Sequence, residues 1–101
     1  MKIYISGKMN GDSNFKEKFD YAEKFCWLNR ISLKIYEEYT EVINPAKLVR
    51  LPTWKESLRR DLKILNDCNA IFMIKGWEDS KGATLEHWYA KRRGLLIIYE
   101  K

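Results

Sequence analysis

Four short apolar runs, at residues 2–6, 41–44, 70–74 and 95–99, alternate with three stretches whose apolar residues recur at helical spacing. No other feature of the sequence narrows the fold as far. Short runs rich in β-branched residues and bounded by turn residues read as strands, and a period near 3.6 reads as an amphipathic helix. Strand and helix in alternation imply a mainly parallel sheet with helices on both faces. The runs at 70–74 and 95–99 are apolar throughout, and the central strands are uniformly apolar, as strands covered on both sides should be. The expectation is an α/β three-layer sandwich with a mainly parallel sheet of four or five strands.

The helices carry their own punctuation. Ser13 or Asn14 can cap a helix that begins near Phe15, and Phe15, Phe19, Ala22 and Cys26 give it one apolar face. Trp54, Leu58, Leu62 and Leu65 mark a second helix over 53–67, with Thr53 and Glu56 as a capping box. A third covers 82–93 and is closed by Gly94. Pro45 stops the run at 41–44. Residues 29–36 alternate enough for an extra strand, but they could equally extend the first helix and then break.

A chain of 101 residues is one domain's worth of protein. With 46% hydrophobic and 33% charged residues it has the profile of a soluble globule. No apolar run approaches the length of a membrane span, and the start is too short in apolar residues for a secretory signal. A cytoplasmic protein is expected. Cys26 and Cys68 stand far apart and read as small core residues. With a single histidine in the chain, neither a metal nor another cofactor is expected. The net charge of +5 permits a polyanionic partner without requiring one. The one tight basic cluster, Lys91-Arg92-Arg93, suits the negative end of the third helix better than a nucleic-acid surface.

In a sheet of this kind ligands bind beyond the carboxyl ends of the strands, where the chain order reverses. The loops at 6–11, 44–47 and 75–82 meet that edge. They carry Ser6, Gly7, Met9, Asn44, Trp77, Ser80 and Gly82. Asp61 falls near the centre of the apolar arc of the second helix. A carboxylate facing a core is costly unless it is paired or set in a polar site. It either pairs with an arginine or a cap, or points into a ligand pocket, and the pocket is the expectation. Glu86 shares a helix face with Ala83 and Ala90, which predicts close packing and an enclosed carboxylate. Its place in the first turns of the helix favours the ionised form, and such a group can serve as a nucleophile. The alternative is a surface glutamate. Trp77 offers an indole face to a base or a sugar; simple loop packing is the alternative. Leu85, Trp88 and Tyr89 lie on the opposite side of that helix and predict a subunit interface; scattered surface apolar residues are the alternative.

These residues resemble a known family. The opening Lys2-Ile3-Tyr4-Ile5-Ser6-Gly7-Lys8-Met9-Asn10-Gly11, the segments Val42-Ile43-Asn44-Pro45-Ala46 and Arg59-Arg60-Asp61-Leu62, and above all Gly76-Trp77-Glu78, Ser80-Lys81-Gly82-Ala83 and Glu86 are similar to the DUF4406 domain of small bacterial and phage proteins. That domain is related to nucleoside 2-deoxyribosyltransferases. The resemblance implies a flavodoxin-like sheet, one such domain over residues 1–101, and a homo-oligomer that shares its sites. It implies that Glu86 attacks the sugar carbon C1′, that Asp61 is a second catalytic carboxylate, and that Tyr4, Ser6, Gly7 and Met9 contact the sugar or a 5′-phosphate. Two departures stand out. The transferases continue beyond the fourth strand, and the stretch from 29 to 40 is longer here than the relatives' short turn.

The expected function is binding of a nucleoside or nucleotide, with cleavage or exchange of the N-glycosidic bond of a 2′-deoxynucleoside or its 5′-monophosphate. The alternative is a non-catalytic nucleotide-binding module of the same fold.

Overall fold

Period-two alternation along the strands decides which side chains enter which layer. In the first strand, β1 (Lys2–Ser6), Ile3 and Ile5 face one side of the sheet and Tyr4 and Ser6 the other. In the strand beside it, here numbered β3 (Ala70–Met73), Ala70 and Phe72 face as Ile3 does, and Ile71 and Met73 face as Tyr4 does. The computed structural model describes residues 1–29 and 40–101. The possible extra strand at 29–36 therefore lies almost wholly outside the described residues.

The remaining elements are α1 (Phe15–Leu28), β2 (Glu41–Ile43), α2 (Trp54–Asn66), α3 (Lys81–Arg93) and β4 (Leu96–Tyr99). Single 3-10 turns sit at Pro45–Lys47 and Trp77–Asp79. The strands form a four-stranded sheet in the order β2-β1-β3-β4, with every pair parallel. Helix α1 covers one face through Phe19, Ala22 and Cys26, packed on Ile3, Ile5 and Phe72. Helices α2 and α3 cover the other through Leu65, Ala83 and Ala90, packed on Tyr4, Ile71 and Met73. This is the expected three-layer, flavodoxin-like sandwich. The order reverses between β1 and β3, so the carboxyl ends of those two strands flank the crevice such a reversal opens.

The helix ends explain their positions. Thr53 accepts the backbone N–H of Glu56 at 3.1 Å and starts α2. Ser80 accepts from Ala83 N at 3.2 Å, which starts α3 at Lys81, one residue earlier than the glycine at 82 implies. Gly94, at φ 73°, closes α3. The N–H groups of Gly94 and Leu95 bond back to Lys91 and Ala90 at 3.2 and 3.0 Å. That closure takes Leu95 out of the last strand. No helix among the described residues is long and apolar enough to cross a membrane.

Candidate active site

A cleft of about 720 Å³ opens at the carboxyl end of the sheet, a size suited to a small-molecule ligand. One wall comes from the loop after β1, with Gly7, Met9 and Asn10, and from the first turn of α1. A second comes from residues 48–53 and from Trp54, Ser57, Leu58 and Asp61 of α2. The start of α3 contributes Ser80, Gly82, Ala83 and Glu86.

Glu86 lies at the bottom of this arrangement and is only 6% exposed. Its helix face bears Ala83 and Ala90, both buried, and these small side chains let α3 approach the sheet closely. The carboxyl then meets the two hydroxyls that β1 sends to that side. Tyr4 Oη donates to Glu86 Oε2 at 2.5 Å, and Ser6 Oγ donates to Oε1 at 2.7 Å. Both carboxyl oxygens therefore have a partner, as a buried polar group requires.

Burial pushes the Glu86 carboxyl up to about 7, the Tyr4 and Ser6 hydrogen bonds pull it down, and the charge of Asp61 pushes it up again. The helix start that favours an ionised form is thus outweighed by desolvation, and Glu86 titrates near neutrality. Tyr4 is held well above the ordinary tyrosine range, first by burial and then by Glu86. It remains a hydrogen-bond donor at any physiological pH. Asp61 is also raised by burial, against the pull of Arg60. Arg60 Nε donates to Asp61 Oδ1 at 3.2 Å, and Arg60 Nη1 donates to the Val49 carbonyl. Asp61 thus both pairs with an arginine and lines the cleft. The two readings of its sequence position are not exclusive.

Of the other residues expected at the site, Tyr4, Gly7, Met9, Ser80 and Gly82 line the cleft, and Ser6 reaches it through its bond to Glu86. Gly7 has a packing reason to be glycine. A Cβ there would lie 2.9 Å from Ile74 Cβ. Asn44 and Trp77 do not line the cleft. Asn44 accepts from Ala46 N at 3.0 Å and donates to Asp20 and Glu23, each at 3.0 Å, so it ties the 3-10 turn to α1. The Trp77 ring stacks on His87 with centroids 4.3 Å apart, on the β4 side of the molecule. Leu85 and Trp88 are exposed, as expected for an interface, but Tyr89 is half-buried and donates to Asn66 Oδ1 at 2.8 Å. Sequence reasoning passed over Lys16 and Arg50 and read Trp54 only as part of the apolar face of α2, yet all three also line the cleft. Among the described residues no group of three His, Cys, Asp or Glu side chains could hold a metal ion.

Fold and site together define a class: a small parallel α/β domain with a buried, hydroxyl-bonded carboxyl facing a cleft at the switch point of its sheet. The chain belongs to the DUF4406 family, described as a domain of unknown function, which it matches over residues 1–99. No curated protein matches the chain.

Proposed function

We propose that this protein binds a 2′-deoxynucleoside or its 5′-monophosphate and cleaves or exchanges the N-glycosidic bond, with Glu86 as nucleophile. The observation that carries the reading is the enclosed Glu86 carboxyl, oriented by Tyr4 and Ser6 at the bottom of a cleft large enough for a small molecule. It is supported by the resemblance of the Gly76–Glu86 region to the DUF4406 domain, read in the sequence as a relative of the nucleoside 2-deoxyribosyltransferases.

In this mechanism an ionised Glu86 oxygen attacks C1′ of the deoxyribose. The C1′–N bond breaks, and the base leaves with the electron pair and takes up a proton. A glycosyl ester on Glu86 remains. Water or a second base then attacks C1′ and releases the carboxylate. The covalent intermediate divides one difficult displacement into two, and charge on the sugar in each transition state is stabilised by carboxylates, as in retaining glycosidases. Asp61 supplies the second carboxyl. Ionisation of Glu86 removes no donor from it, because Tyr4 and Ser6 can bond either form.

Two buried free thiols, Cys26 and Cys68, fit the reducing cytoplasm this reading assumes. Burial pushes the two up to about 12 and about 11, so neither competes as a nucleophile. A homo-oligomer through the exposed Leu85 and Trp88 belongs to the same reading, and sedimentation of the wild type beside a Trp88→Glu chain tests it.

The decisive experiment incubates the protein with deoxynucleosides and their 5′-monophosphates and measures released base. Release that disappears in Glu86→Gln supports the mechanism. Turnover that survives this substitution excludes it. Ligand-induced stabilisation without release would assign a binding module instead.

A further inference from the structure

Three cationic side chains line the cleft: Lys16 in the first turn of α1, Arg50 in the 48–53 loop and Arg60 on α2. Arg60 is committed to Asp61 and to the Val49 carbonyl. The other two have no such claim. Among the described residues neither Lys16 nor Arg50 forms an ion pair with a carboxylate. Arg50 Nη2 donates at 3.0 Å to Asn10 Oδ1, a neutral acceptor that is itself on the cleft wall. This bond fixes the guanidinium without neutralising it and leaves further N–H donors on the same fork.

Depth orders these charges. Glu86 is buried and Asp61 half-buried, whereas Lys16 and Arg50 are exposed. The cleft is therefore acidic at its floor and basic at its mouth. A doubly charged phosphate is repelled by the floor and attracted by the mouth. Arginine is suited to phosphate because its planar fork can donate two parallel hydrogen bonds, and lysine adds a point charge.

We propose that Lys16 and Arg50 bind the 5′-phosphate of a mononucleotide, so that the cleft prefers monophosphates over nucleosides. The proposal rests on the reading of Glu86 as the group that meets the sugar carbon. With C1′ at the floor, the 5′ carbon leads outward, and its phosphate reaches the basic mouth. The reversed pose would drive a dianion against two carboxyls. The charge order thus selects the ligand's orientation as well as its class.

Titration of the Glu86→Gln protein, which would hold a substrate uncleaved, compares the four deoxynucleoside 5′-monophosphates with their nucleosides. Thermal shifts of the wild type with the same ligands replace it if that variant does not fold. At least one monophosphate is expected to bind about tenfold or more tighter than its nucleoside, the worth of one good charge-assisted contact. Lys16→Ala with Arg50→Ala should abolish the preference while leaving nucleoside affinity in place. Equal affinity for all pairs overturns the proposal, as does a preference that survives both substitutions. A 5′-phosphorylated oligonucleotide that binds more tightly than any mononucleotide overturns it too. Base release by the wild type separates the two levels. Equal kcat/KM for nucleoside and monophosphate keeps the Glu86 chemistry and removes the phosphate site. Monophosphate-selective binding without release removes the chemistry and keeps the site.

Discussion

Tyr4 Oη donates a 2.5 Å hydrogen bond to Glu86 Oε2 and so joins the first strand to the last helix, 82 positions apart in sequence. Ser6, on the same face of that strand, donates to the other carboxyl oxygen at 2.7 Å. Burial pushes the carboxyl toward neutrality while these two bonds oppose it. Each neighbour therefore moves the titration of Glu86 in a direction that experiment can read.

Stability should depend on this proton. Glu86 titrates at about 7 in the folded chain against an ordinary 4.5. Because the shift is upward, the folded state keeps a proton between those values that the unfolded state has released. The contribution is full below about 4.5 and is lost as pH rises through about 7. Its size is on the order of 3 kcal/mol. Glu86→Gln is neutral throughout, so its melting temperature should exceed that of the wild type at alkaline pH and approach it at acidic pH. Melting curves of both proteins across the window check this; a constant difference contradicts it.

Activity, if Glu86 must be ionised to attack, should rise with pH through a midpoint near 7. The Tyr4 hydrogen bond lowers that midpoint and the Asp61 charge raises it. Tyr4→Phe should move the profile to higher pH, and Asp61→Asn to lower pH. On the acidic limb each unit of movement changes kcat/KM about tenfold. Profiles that move together, or not at all, would assign the pH dependence to another group.

Two glycines at the cleft should respond in opposite ways to alanine. At Gly7 a Cβ would lie 2.9 Å from Ile74 Cβ, inside the packed face of the sheet. Gly7→Ala should cost about 1–3 kcal/mol through forced backbone movement. At Gly82 the nearest atom to a Cβ would be Trp54 Nε1 at 3.7 Å, an ordinary contact. Gly82→Ala should raise stability by about 0.5 kcal/mol through helix propensity, while weakening ligand binding by filling the cleft wall. Denaturant titrations and ligand affinities of the pair check both signs.

Trp77→Ala should separate folding from binding. The ring stacks on His87 at 4.3 Å and lies against Tyr99 at 6.3 Å, away from the cleft. Truncation should cost about 2 kcal/mol of stability through lost apolar burial and leave KM within about twofold of wild type, since no contact with the ligand is lost. A large rise in KM with unchanged stability would put the indole at the base after all.

Much of this was legible in the sequence because periodicity reports burial. The alternation gave the layers and the parallel sheet, and Ala83 and Ala90 marked the close face that encloses Glu86. The polar residue inside an apolar arc located Asp61 at the cleft. Periodicity does not report which loops converge. Asn44 and Trp77 sit after strands, where ligand contacts are common, yet each serves local structure instead. Pro45 starts a 3-10 turn that needs Asn44 as its cap, and the Trp77 ring stacks on His87 of α3. Lys16 and Arg50 escaped notice for a different reason. An exposed cation has no pattern of its own, and only the shape of the cleft sets these two apart from the other lysines and arginines.

The strand order β2-β1-β3-β4 also ties assembly of the Glu86 site to the completion of folding. The hydroxyls of Tyr4 and Ser6 precede the carboxyl they hold by 82 and 80 positions, and that carboxyl arrives only with the crossover through α3. Until α3 docks, Glu86 is an ordinary solvated acid with no tuned proton and no oriented oxygen. A ribosome-bound chain that has not yet released α3 consequently lacks this hydrogen-bonded carboxyl. The buried carboxyl gains both partners in the same step that docks α3 on the sheet.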